Sequence, residues 1–124
     1  MSTTVENLPD FIAKVRQTGV AHQSMVPQWL TATSDIVETN LTVGGAYSPG
    51  TPIDTGVARA GWVRTRGRVV ETFANRVPYI AALERGHSRQ APDGFRGLVA
   101  LHWKDIQRDG LRAIGLAALA SRVR

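Results

Sequence analysis

From Leu8 to Leu41 the apolar and small residues recur every three or four positions. The series runs Leu8, Phe11, Val15, Gly19, His22, Val26, Trp29 and Leu30, Thr33, Ile36 and Val37, Leu41. This spacing gathers them on one helix face and predicts helix through the first forty residues. Leu8-Pro9-Asp10 suits its start, with Pro in the first turn or Asp as the cap. Thr18-Gly19 and Pro27 interrupt it, because Gly costs about 1 kcal/mol in a helix interior and Pro removes an N–H and clashes with the turn before it. The stripe keeps its phase across both breaks, so the expectation is a long N-terminal helix, kinked or split. Its apolar face is expected to line the core.

The helical period stops at Val43. Residues 44–52 are rich in Gly and Pro and predict a mobile loop. Trp62-Val63-Arg64-Thr65 and Val69-Val70-Glu71-Thr72-Phe73-Ala74 follow, with Arg66-Gly67-Arg68 between them, which predicts a β-hairpin turning at Gly67. Val77 to Gly86 predicts a short helix, opened by Pro78 and stopped by Gly86. Residues 87–94 predict a polar loop. From about Leu98 helical spacing returns, with Val99, Trp103, Ile106, Gly110, Ala113, Ile114 and Ala117 inside and Lys104, Arg108 and Arg112 outside. Gly110 on the inner face predicts a close approach of another element. The order is therefore long helix, hairpin, short helix, long C-terminal helix: an α+β fold with a small antiparallel sheet, in one domain over residues 1–124.

Composition narrows the chemistry. The chain has no Cys, which excludes a disulfide framework and thiolate-based sites. No apolar run approaches the roughly 18 residues of a membrane span. The first residues lack the basic start and apolar stretch of a signal peptide, so a soluble protein of the cytosol, or one assembled inside the cell, is expected. Net charge is +5 and uneven. Residues 1–58 hold two basic and five acidic groups, a balance of −3, and residues 59–124 hold thirteen and five, a balance of +8. The split suits nucleic acid on the basic half, head-to-tail docking of copies, or a plainly solvated surface.

Few patterns suggest reaction chemistry. Asp54-Thr55-Gly56 matches the catalytic triplet of aspartic peptidases, whose two carboxylates must share a proton. Such a triplet ends an apolar strand in an almost all-β fold. Here it follows Pro49-Gly50-Thr51-Pro52, and Asp54 or Thr55 as a cap of a short turn is the stronger expectation. His22, His87 and His102 stand apart, and Asp105 is merely a helix-face neighbour of His102. Asp105 and Asp109 lie among Lys104, Arg108 and Arg112 and read as a surface charge lattice. No catalytic residue, metal ligand or cofactor site is expected, and no enzymatic activity. Arg64, Arg66 and Arg68 fall at period two, which predicts one shared strand face that Arg76, Arg85, Arg89 and Arg96 extend. Guanidinium forks suit phosphate, so these residues face either DNA or a neighbouring subunit. Trp62, Phe73 and Tyr79 are expected in the core rather than beside them as base-stacking platforms.

Thr51-Pro52-Ile53-Asp54-Thr55-Gly56-Val57-Ala58-Arg59-Ala60-Gly61-Trp62, followed by Asn75-Arg76-Val77-Pro78-Tyr79-Ile80-Ala81-Ala82-Leu83-Glu84-Arg85-Gly86, resembles the tail-component family of long-tailed phages and prophages. That family's pattern is Pro-x-Asp-Thr-Gly-x-x-Arg-x-x-Trp, then strand, then Asn-x-x-x-Tyr-Ala-x-x-x-Glu-x-Gly. The resemblance covers about residues 49–120. It departs at Ile80, where Ala is usual, and at Gly94-Phe95-Arg96-Gly97, which lacks the family's second Pro. It implies a structural virion protein of the neck or tail end, acting in head–tail joining, tail completion or tail termination. Such a protein forms an oligomeric ring between the head connector and the tail tube, is assembled in the host cytoplasm, and contacts packaged DNA at most transiently. The resemblance further implies that Asp54, Thr55 and Gly56 shape the turn before the hairpin, that Arg59 and Trp62 belong to the same motif, and that Asn75, Pro78, Tyr79, Glu84 and Gly86 set the short helix. Loops 44–52 and 87–94 are implied to order on assembly.

Overall fold

A helix, a three-stranded sheet and a second helical segment enclose one core in the computed structural model, which describes residues 2–5, 25–53, 56–67 and 70–122. The helix expected over Leu8–His22, with Gly19, lies outside the described residues. So do Asp54, Thr55 and Arg68. In chain order the elements are β1 (Ser2–Val5), α1 (Met25–Leu41), α2 (Val57–Ala60), β2 (Trp62–Arg66), β3 (Glu71–Asn75), α3 (Ile80–Glu84), α4 (Arg96–Leu101), α5 (Trp103–Ala113) and α6 (Ala117–Ala120). The fold is α+β, as the sequence predicts.

Along α1 the predicted stripe is the buried one: Trp29, Leu30, Thr33, Val37 and Leu41 are all buried. Pro27 is the third described residue of α1, and the residues before Met25 lie outside the described ones. α1 packs along α5, and the Trp29 indole donates to the Gln107 carbonyl at 3.3 Å. The close approach expected at Gly110 occurs here. A Cβ on Gly110 would lie 2.1 Å from Thr33 Oγ1.

The sheet order is β1-β3-β2, with both outer strands antiparallel to β3. The hairpin register pairs Trp62 with Asn75 and Arg66 with Glu71. β1 corrects the expectation of helix at the start of the chain. Ser2-Thr3-Thr4-Val5 pairs with Ala74 to Glu71 of β3, a partner some seventy residues away that local pattern does not announce. β3 is central and buries Glu71, Phe73 and Asn75 on one face.

The C-terminal helix is also corrected, to three pieces broken at His102 and at Ile114–Leu116, where Gly115 takes φ 84°. The break resets the inner face. Ile106, Gln107, Gly110 and Leu111 are buried, whereas Ala113 and Ala117 are exposed. Among the described residues no helix is long and apolar enough to cross a membrane.

Candidate functional site: a groove between the two motif segments

The Gly/Pro-rich segment after α1 is tied down rather than projecting. Asn40 Oδ1 accepts the backbone N–H groups of Tyr47 and Ser48 at 3.0 and 3.1 Å, and its amide donates to the Ile36 carbonyl at 2.9 Å. Thr51 N–H returns to the Leu41 and Thr42 carbonyls, both at 3.0 Å. Gly44 and Gly50, at φ 94° and 81°, let the chain double back. Tyr47 then donates to an Asp109 carboxylate oxygen and stacks on the His102 ring at 5.2 Å. The hydrogen bond to Asp109, followed by burial, pushes the Tyr47 phenol up to about 12.

Thr51 is where the first motif segment closes. Arg59 Nε donates to its carbonyl at 3.0 Å, and the Trp62 indole donates to its hydroxyl at 2.7 Å. The half-buried Trp62 also meets the buried Phe95 edge-on. From the second segment, Asn75 donates to the Ala58 carbonyl at 2.7 Å and accepts the Val77 N–H at 3.0 Å. Gly61 belongs to the same joint, since a Cβ there would sit 2.9 Å from Asn75 Oδ1 and 2.6 Å from Val77 Cγ2. Asn75 thus joins the two segments and is fully buried.

Glu84 does more than set its own short helix. Its carboxylate accepts the N–H groups of Phe95, Arg96 and Gly97 at 3.2, 2.9 and 2.9 Å, capping α4 from outside. Gly86 (φ 88°) is pressed against loop 87–94, where a Cβ would lie 2.2 Å from the Pro92 carbonyl oxygen. Pro78 lies in the turn before α3 rather than in its first turn.

Two predicted side-chain placements change. Tyr79 is 43% exposed instead of in the core. Arg64 turns inward, with its side chain 8% exposed. It binds Glu71 and Asp35 at 2.6 Å and Glu38 at 2.7 Å, and it lies over the Phe73 ring at 5.7 Å. Burial opposes the charge on Arg64, but the hydrogen bonds to Glu71, Asp35 and Glu38 outweigh it and push its pKa further up. The single arginine face expected on the hairpin is therefore divided, with Arg64 spent inside the fold and Arg66 exposed. Arg85, Arg89 and Arg96 are exposed, and none of them or Arg66 is in an ion pair among the described residues. Asp105 pairs with Arg108 and Asp109 with Arg112, which is the lattice read from the sequence.

Where the two motif segments meet, they leave a groove of about 400 Å³. Pro52, Ile53, Gly56 and Ala58 come from the first segment, Tyr79 and Leu83 from the second, and His87 to Gln90 from the following loop. Gln90 fastens that loop across the groove, because its side-chain amide accepts the Ile53 N–H at 2.9 Å and donates to the Ile53 carbonyl at 2.7 Å. Sequence reasoning missed Gln90 and Ile53. Neither carries a pattern, and the clasp exists only once the two loops are side by side. On either side of Asp54 and Thr55, which lie outside the described residues, Pro49–Ile53 form no strand and Gly56 (φ 83°) leads into α2. Among the described residues no group of three or more His, Asp or Glu is placed to hold a metal ion. No family model, curated protein or solved structure matches the chain.

Proposed function

We propose that this chain is a structural protein of a phage particle, a subunit of an oligomeric ring in the neck or tail end that joins the head connector to the tail tube. The observation that carries this reading is how the motif residues are used. Arg59, Trp62, Asn75, Glu84, Gly61 and Gly86 all go into holding two loops and two short helices in one arrangement. Their spacing, the basis of the resemblance, is then the spacing of a scaffold, which a family of contact-making subunits must keep while its surfaces vary. The uneven charge suits a heterologous interface, in which one face of a copy meets a different face of the next and the rotation closes a ring. On this reading the protein belongs to the virion and is assembled in the host cytoplasm, with itself, the connector and the tube as partners.

Mass measurement of the chain alone, and mixed with tail-tube and connector proteins, tests the proposal. The expected result is a closed oligomer or a stable complex with one of them. A chain that stays monomeric and joins neither overturns it. A second reading, a sequence-independent DNA-binding module, is favoured by the exposed Arg66, Arg76, Arg85, Arg89 and Arg96. It predicts DNA retention that falls steeply as salt rises through about 150 mM, as phosphate contacts do.

A further inference from the structure

The groove has an unusual balance of groups. Its aliphatic lining comes from Pro52, Ile53, Ala58 and Leu83, and one large apolar side chain there stays in water, Ile53 at 47% exposed. Among the described residues three side chains on its rim have no hydrogen-bond partner: the Tyr79 hydroxyl and the His87 ring, which can donate or accept, and the Arg89 guanidinium, which only donates. Gln90 is engaged by Ile53 through both its amide oxygen and its amide nitrogen, and the Ser88 hydroxyl accepts the Gln90 N–H at 3.2 Å. No carboxylate lines the groove among the described residues. Glu84 on the adjoining helix is spent on α4, and Asp93 lies further along the loop. The wall is also held in place before anything binds, by the Gln90 clasp and by Ala91, which is fully buried behind it. Pre-organisation of this kind lowers the ordering cost of association.

We propose that the groove docks an extended peptide segment of a partner protein, one that presents an aliphatic side chain next to a carboxylate. The aliphatic group covers the aliphatic lining and the carboxylate meets Arg89, whose guanidinium suits it in charge and fork geometry. A cleft of this volume, at the small end of ligand sites, takes one or two side chains. A nucleic-acid strand fits the site less well, since it needs a track of cations and stacking faces, and the lining here is aliphatic with one aromatic at its edge. The inference does not depend on the virion reading, because any partner with that chemistry would serve.

Amide NMR of the isotope-labelled full chain tests it with three probes: acetyl-Ala-Leu-Asp-Ala-amide, the same peptide with Asn for Asp, and a short oligothymidylate. The expected result is that the Asp peptide moves the amides of Gly56, Ala58, Leu83 and Gln90. The Asn peptide should bind about tenfold more weakly, the loss of one charge-assisted contact. Arg89→Gln, at an exposed position that leaves folding intact, should remove the difference between the two peptides. Equal affinity for both peptides, no movement of those amides, or an unchanged preference in Arg89→Gln overturns the proposal. So does stronger movement of the same amides by oligothymidylate, or their movement on simple dilution of the protein, which would assign the groove to DNA or to a second copy.

Discussion

Arg64 and Arg89 carry the same side chain into opposite situations. Arg64 points from the middle of β2 toward α1, is nearly covered, and satisfies three carboxylates. Arg89 stands in a loop, exposed, with no ion pair among the described residues. Charge and residue type do not distinguish them. What differs is register: the hairpin pairs Arg64 with Phe73 and turns both toward the helix, where Glu71, two residues before Phe73 in β3, is buried as well. A basic residue in this protein is thus a structural part where a strand face carries it inward and a contact surface where a loop carries it out. The polar groups of the sheet and motif joints are spent. At the groove rim Tyr79, His87 and Arg89 are not, among the described residues.

The largest expected effect breaks the committed side of this contrast. Arg64→Met should destabilise the fold by about 3–5 kcal/mol, because it leaves the buried Glu71 carboxylate without its partner. Asp35 and Glu38 face water and add little to that cost. Arg89→Gln should stay within about 0.5 kcal/mol of the parent, as surface changes do. Urea unfolding of the two variants side by side measures the difference directly, and similar losses for both would erase the distinction. Next, Gly110→Ala should cost about 1–3 kcal/mol by forcing α5 away from Thr33, despite a helix-propensity gain of about 1 kcal/mol. Loss of stability without loss of the Arg64 cluster would mark the α1–α5 contact as a separate support.

The smallest effect is a matter of pH. Tyr47 is raised from 10.0 to about 12 by its bond to Asp109 and by burial, so its protonated form is the one the fold favours. Its contribution is complete below pH 10 and is lost as pH rises from 10 toward 12. Tyr47→Phe should flatten that part of the stability profile, with phenolate absorbance in the parent rising late for one of its two tyrosines. An unchanged profile would show that the Tyr47–Asp109 contact adds nothing to the hold that Asn40 and Thr51 have on the loop after α1.

Much of the architecture can be read along the chain. The α1 stripe, the hairpin about Gly67, the short helix before Gly86 and the close approach at Gly110 follow from periodicity and from punctuation by Gly and Pro. What escapes is set by partners distant in sequence. β1 is four residues that become a strand because β3 offers an edge. The C-terminal break at His102 sits in a run whose local pattern is helical throughout. Arg64 and Tyr79 exchange their expected places because alternation along a short strand or turn does not say which side the core will occupy. The candidate groove is the least legible feature. Its motif borders are visible in the sequence, but its clasp joins Ile53 to Gln90, 37 positions apart.

The contact between Trp29 and the Gln107 carbonyl spans 78 positions and lies at the centre of the α1–α5 pair. During synthesis α1 must therefore wait, its apolar stripe uncovered, until α5 has left the ribosome. Contacts of that separation are slow to close and leave sticky intermediates exposed meanwhile. Production of this protein should accordingly respond to temperature and to chaperone supply, with cooler growth and slower translation raising the share of chains that reach the folded state.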